Sequence, residues 1–118
     1  MTEYHGSCHC GKVRFSFESA PIEKGIRCNC SICARKGALM SPDPLPEEAL
    51  KIEAPDDALV LYQFGARTAK HFFCRHCGIY PFHETARKAG HYRVNLGCVD
   101  GVDTFALPFD VFDGKHLL

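Results

Sequence analysis

The clearest hydrophobic alternation runs from Lys12 to Ser19, where Val13, Phe15 and Phe17 fall on one face and Lys12, Arg14, Ser16 and Glu18 on the other. A period of two, with aromatic and β-branched residues on the apolar side, predicts a half-buried strand. The pattern recurs over His91–Leu96, which sets Tyr92, Val94 and Leu96 against His91, Arg93 and Asn95. Shorter apolar runs predict strands at Gly25–Cys28, Leu59–Phe64, Ala69–Phe73 and Ile79–His83, the middle two joined as a hairpin through Gly65–Thr68. Pro81 has no N–H to give to a ladder, so the Ile79–His83 strand is expected at an edge or a bulge.

Helical signals are short. Ser31 is placed to cap a helix over Ile32–Lys36 that Gly37 ends, and Pro46 suits the start of one turn over Glu47–Leu50. Pro42, Pro44 and Pro46 predict a surface connection without regular structure between Ser41 and Pro46. The tail carries Phe105, Leu107, Phe109, Val111 and Phe112, too much apolar surface to stay loose, and is expected to dock on the sheet. No internal repeat is present beyond paired cysteine motifs. The elements together predict an all-β, β-rich fold, with residues 1–118 forming a single domain.

Composition narrows the setting. A length of 118 residues at 46% hydrophobic content supports a modest core rather than disorder. Zero formal net charge gives no footprint for nucleic acid or an anionic membrane, so neither is an expected partner. The polar start, Met1–Ser7, followed by Lys12 and Arg14, resembles no secretory signal, and no run is long enough to span a membrane. A cytoplasmic location is therefore expected, where thiols stay reduced and eight cysteines read as metal ligands rather than as a disulfide framework.

The cysteine spacing carries the chemistry. Cys28, Cys30 and Cys33 place three thiols within six residues, close enough to converge on one zinc ion and leave its fourth position open. The start of the short helix offers Cys30 and Cys33 backbone N–H groups that favour thiolate. Cys8 and Cys10, followed by Gly11, and Cys74 and Cys77, followed by Gly78, could complete a separate, closed four-sulfur site that contributes to folding. Gly11 can supply a positive φ at a tight hairpin tip that turns both sulfurs the same way.

The other polar candidates receive plainer readings. Cys98 lies outside both sets and reads as a small buried core residue. Arg35 and Lys36, just past the last thiol, are candidates for holding substrate carboxylates. His9 is expected to face away from the thiols, His71 to be packed or on the surface, and His76 to sit inside a knuckle whose cysteines suffice. His83 and His91 are better placed for a pocket, but no histidine is assigned to the site.

The C-x-C-G of residues 8–11, the R-C-N-C-S-I-C of 27–33 and the F-C-x-x-C-G-I-Y of 73–80, in that order, closely resemble the glutathione-dependent formaldehyde-activating enzyme family, or GFA domain family. The resemblance spans nearly the whole chain. It implies two small packed antiparallel sheets stapled by a structural zinc on Cys8, Cys10, Cys74 and Cys77, and a catalytic zinc on Cys28, Cys30 and Cys33. It further implies carbon–sulfur lyase chemistry on an adduct of a glutathione-like thiol and a small aldehyde. The competing readings are a noncatalytic zinc-stabilised binding module and redox or metal handling by the three-thiol cluster.

Overall fold

A computed structural model describes residues 1–118 and places most of the regular structure in ten strands, with two short helices. The alternating segment forms β2 (Arg14–Ser19), with Val13, Phe15 and Phe17 buried and Arg14 and Glu18 exposed. It pairs antiparallel with β1 (Thr2–Ser7) on one side and β5 (Leu50–Glu53) on the other. The hairpin tip at Cys8–Gly11 calls for β1, whereas β5 was not anticipated. β1 lies at the sheet edge with half of its residues exposed and only Gly6 buried, so a polar sequence suffices, while β5 follows at once on a 3-10 turn, Glu47–Ala49, that masks its alternation.

The second sheet has five antiparallel strands in the order β4 (Leu45–Pro46), β9 (His91–Val94), β8 (Phe82–Glu84), β7 (Lys70–Cys74) and β6 (Leu59–Tyr62). Two expectations change here. Strand β8 starts later than Ile79, with Pro81 buried just before it. The proline-rich segment is also not a plain surface connection. Ser41 is 3% exposed, its N–H donating to the Val94 carbonyl and its Oγ accepting from the Val94 N–H, and Pro46 ends in an edge strand, where its missing donor is tolerated.

Between the two sheets the core closes on Phe82, which is fully buried and meets Phe15 of the first sheet edge-on at 5.8 Å and Phe72 and Tyr92 of its own sheet at 5.6 and 6.2 Å. The expected pair of packed antiparallel sheets is thus present, with one addition. The tail forms β10 (Phe109–Phe112), which pairs in parallel with β3 (Gly25–Cys28) as a separate two-stranded ribbon. Docking of the tail is only partial, since Phe105 is 99% exposed and Val111 faces outward. Helix α1 spans Ser31–Lys36 and α2 spans Gly114–Leu117, and no helix is long and apolar enough to cross a membrane.

Because Phe82 bridges the two sheets, replacing it removes contacts on both sides at once. Phe82→Ala is expected to cost about 3–5 kcal/mol of stability, measured by denaturant unfolding. A loss below about 1 kcal/mol would show that the sheets are held together elsewhere.

Candidate active site and metal centres

Two hairpin tips build the first cysteine cluster. The β1–β2 tip closes with the Cys8 N–H on the Val13 carbonyl at 2.9 Å, and the β7–β8 connection closes with the Cys74 N–H on the Ile79 carbonyl at 2.9 Å. Gly11 and Gly78 take φ of 81° and 77°, the left-handed conformation that lets each chain curl back around its sulfurs. The Sγ atoms of Cys8, Cys10, Cys74 and Cys77 all lie within 4.8 Å of one another, with Cys8–Cys10 and Cys10–Cys74 each at 3.6 Å. A tetrahedral ion with metal–sulfur bonds of about 2.3 Å has sulfur–sulfur edges of about 3.8 Å, so zinc fits this donor set. Backbone N–H groups on the Val13–Cys8 and His76–Cys74 pairs, both at 3.4 Å, satisfy further sulfur lone pairs.

The second cluster comes from one continuous stretch. Strand β3 delivers Cys28, and α1 supplies Cys30 and Cys33, the three sulfurs again within 4.8 Å. The helix begins one residue earlier than expected: Cys30 occupies the N-cap and no side chain caps it, so Ser31 is the first helical residue rather than the cap. Gly37 ends the helix at φ 66°. Burial opposes the thiolate at Cys30, but the backbone N–H of Cys33, the Cys33 and Cys28 thiols and the backbone N–H of Ile32 together overcome it and hold the thiol below its usual range. Cys33 is pushed up to about 12, by burial and by its two neighbouring sulfurs, against the pull of Lys36. A cation among these sulfurs relieves that repulsion, which is the condition a thiolate-binding metal meets.

These three thiols lie in the wall of a cavity of about 580 Å³, and none of Cys8, Cys10, Cys74 or Cys77 lines it. Facing them are Lys36, His71 and His83. The Lys36 Nζ lies 3.4 Å from His83 Nδ1 and 4.3 Å above the Tyr80 ring, while His71 Nδ1 lies 2.6 Å from the Tyr80 hydroxyl. Register explains the pairing: His71 and His83 are direct partners across β7 and β8, so their rings share one face at 5.6 Å. Burial, then the Lys36 ammonium, brings His71 down to about 4 and His83 well below the ordinary histidine value, so both rings are neutral at neutral pH.

The remaining candidates divide clearly. Of the two basic residues after Cys33, Lys36 turns into the cavity, whereas Arg35 is exposed and donates to the Ser31 carbonyl. His83 lines the cavity but His91 does not, its Nδ1 sitting 3.1 Å from the Ala89 carbonyl. His71, given a packed or surface reading, is both buried and part of the cavity wall. Cys98 is half-buried beside the four-thiol cluster, its thiol pushed up to about 11 by burial and by Cys8 and Cys77. Arg93 escaped the sequence reading altogether, because strand alternation put it on a polar face, yet it is only 8% exposed and lines the cavity.

Comparison with known proteins places the chain in a family. A family model described as glutathione-dependent formaldehyde-activating enzyme matches residues 3–114. The chain belongs to that family. A crystal structure of a Rhodobacter sphaeroides protein is similar to it at 37% sequence identity with a TM-score of 0.80, covering 90% of this chain and 99% of that one. The family's name ties this GFA chain to a glutathione- and formaldehyde-related function, and both cysteine clusters are compatible with zinc.

Helix α2 closes the three-thiol centre from outside. A Cβ on Gly114 would lie 2.5 Å from the Cys28 sulfur and 3.1 Å from Cys30 Cβ. Gly114→Ala is expected to weaken metal retention by the three-thiol cluster about tenfold or more while leaving the other cluster loaded, read as metal content after graded chelation. Equal retention at both centres would show that α2 does not press on Cys28.

The neutral histidines set an acid limit. Their folded pKa values lie below the 6.5 of an ordinary histidine, so as pH falls the unfolded chain takes up these protons first. The stability they contribute is present above about pH 6.5 and lost progressively from there toward and below about pH 4. Imidazole NMR is expected to show His71 uncharged at pH 5, and His71→Asn to flatten the acid unfolding curve in this window. A His71 midpoint near 6.5 would remove the effect.

Proposed function

We propose that this GFA chain is a zinc-dependent carbon–sulfur lyase that acts on the adduct of a glutathione-like thiol with a small aldehyde. Cys28, Cys30 and Cys33 hold the catalytic zinc, and Cys8, Cys10, Cys74 and Cys77 hold the structural one. The observation that carries this reading is the division between the clusters: three thiols open onto a cavity and four close on each other away from it. Zinc in the open centre would supply a Lewis acid with a free coordination position.

The chain's own groups suit the bond changes involved. In the forward direction a carbon–sulfur bond forms, the aldehyde C=O becomes C–OH, and the thiol proton ends on that oxygen; the reverse returns the proton to sulfur as the bond breaks. Lys36 is the proton-bearing cation nearest the centre, facing Cys33 from its half-buried position. With His83 neutral, its Nδ1 accepts from the Lys36 ammonium and aims it across the cavity. Lys36 would thus stabilise negative charge developing on the aldehyde oxygen, and the apolar wall formed by Ile32, Met40, Phe64 and Phe112 limits water there. A reducing, cytoplasmic setting belongs to the same reading, since it keeps the thiols available to metal.

Two zinc ions per chain are expected from the two clusters, with acceleration of adduct formation from glutathione and formaldehyde. Cys30→Ser should lose about one ion and the activity with little change in Tm, whereas Cys74→Ser should lower soluble yield and Tm. Full metal content without turnover across a panel of thiols and aldehydes would overturn the lyase in favour of a noncatalytic binding module.

A further inference from the structure

The cavity has a one-sided charge. Lys36, Arg87, Arg93 and Lys115 line it, and no aspartate or glutamate does. None of the four has a carboxylate partner, since the ion pairs of the protein are His5–Glu3, Lys24–Asp110 and His116–Asp113. That is ordinary for an exposed lysine and unusual for Arg93, because a buried guanidinium normally sits against an acid.

Arg93 is built in rather than left over. Its Nη1 donates to the Ser41 and Pro42 carbonyls at 2.8 and 2.7 Å, which fixes the plane of the guanidinium. The other two nitrogens make no hydrogen bond within the protein, and no polar side-chain atom is buried without a partner, so they stay accessible on a residue that lines the cavity. Burial and the nearby Arg87 both disfavour its charge, while Asp43 and Cys28 assist it without an ion pair. Arg87 is itself held in place, its guanidinium stacked 3.7 Å over Phe112, the residue that pairs with Cys28 across the parallel ribbon.

The metal centre does not account for this charge. Three thiolates with one divalent cation carry a net charge of about −1, which the single ammonium of Lys36 facing Cys33 offsets. Two adjacent arginines then remain on the Cys28 side without an ion-paired carboxylate, Asp43 acting on Arg93 only from beyond ion-pair distance.

We infer that Arg93 and Arg87 form a carboxylate-binding subsite beside Cys28, which selects thiol–aldehyde adducts that carry a carboxylate close to the reacting carbon. A planar guanidinium with two free N–H directions matches a carboxylate fork, and a second cation beside it adds attraction. The cavity offers no aspartate or glutamate to an ammonium group, so recognition rests on the negative end of the substrate. The acid can belong to the thiol half or to the aldehyde half. The assignment of a reacting carbon rests on the lyase reading above, whereas carboxylate binding itself does not.

The test uses the zinc-loaded protein. Calorimetry compares propionate with propionamide, probes that carry neither thiol nor aldehyde, and kinetics compares 3-mercaptopropionate with its methyl ester against formaldehyde, and glyoxylate with its methyl ester against 2-mercaptoethanol. The acid is expected to be favoured over its neutral partner by about tenfold or more, the preference collapsing toward one in Arg87→Glu and falling in Arg87→Gln. Arg35→Gln, which removes the same charge from the exposed side of α1, should keep it. Arg93→Gln is the sharper variant if it folds, and the Arg87 pair decides the matter if it does not. A preference in the mercaptopropionate arm alone assigns the acid to the thiol half, and one in the glyoxylate arm alone to the aldehyde half. Propionate binding that depends on Arg87, with no turnover of any adduct, keeps the subsite and removes the lyase. Turnover that treats acid and ester alike, or a preference untouched by every Arg87 and Arg93 variant, overturns the subsite and leaves the lyase standing.

Discussion

Four sulfurs drawn from two hairpin tips, Cys8 and Cys10 on one and Cys74 and Cys77 on the other, are the constraint on which this fold depends. The tips are 64 residues apart between Cys10 and Cys74, yet their sulfurs approach to 3.6 Å. Joining them closes a long loop whose entropy cost grows only slowly with length, so one ion shared there would offset the cost of bringing the tips together. Thiols at this distance without a cation would compete for protons and repel as thiolates. The hairpin tips therefore make sense as a pair and not singly.

What the knuckle fixes reaches the cavity through strand register. The β7–β8 pair leaves the Cys74–Cys77 tip with His71 opposite His83, and a slip of one residue would send both rings to the other face. Those rings, with Tyr80, make the neutral bed against which the Lys36 amine is positioned. Lys36 is in turn carried by the helix that bears Cys33. One cluster sets the sheet, the sheet sets the histidines, and the helix brings the second cluster to them.

Much of this was legible in the sequence, for identifiable reasons. Cysteine spacing is local and chemically narrow, so both sets of thiols could be grouped before any tertiary information. Period-two alternation located β2, where one face is buried and the other is not, and the start of β9. It failed for β1, an edge strand with few buried positions, and for β5, hidden behind a 3-10 turn. Arg93 was missed for a deeper reason. Alternation assigns a residue to a face but not what covers that face, and here the Ser41–Pro42 segment folds over the polar side of β9 and buries the guanidinium. The proline-rich stretch, read as a connection, is what turns a surface arginine into a cavity residue.

That last feature bears on how the family's chemistry is tuned in this chain. The three-thiol centre comes from one short continuous stretch, whereas the groups around it come from elsewhere: Arg87 from the β8–β9 loop, Phe64 from the β6–β7 turn, and Gly114 from α2. Loops of this kind can change residue identity without disturbing either cysteine cluster, since none of them supplies a sulfur. Arg93 differs because its carbonyl partners belong to a buried segment, so exchanging it alters packing as well as charge. On the proposed lyase reading, the reaction type would be tied to the rigid thiol stretch and Lys36. Choice among substrates would then fall to a wall on which one arginine is locked by buried carbonyl contacts and the other sits on a loop.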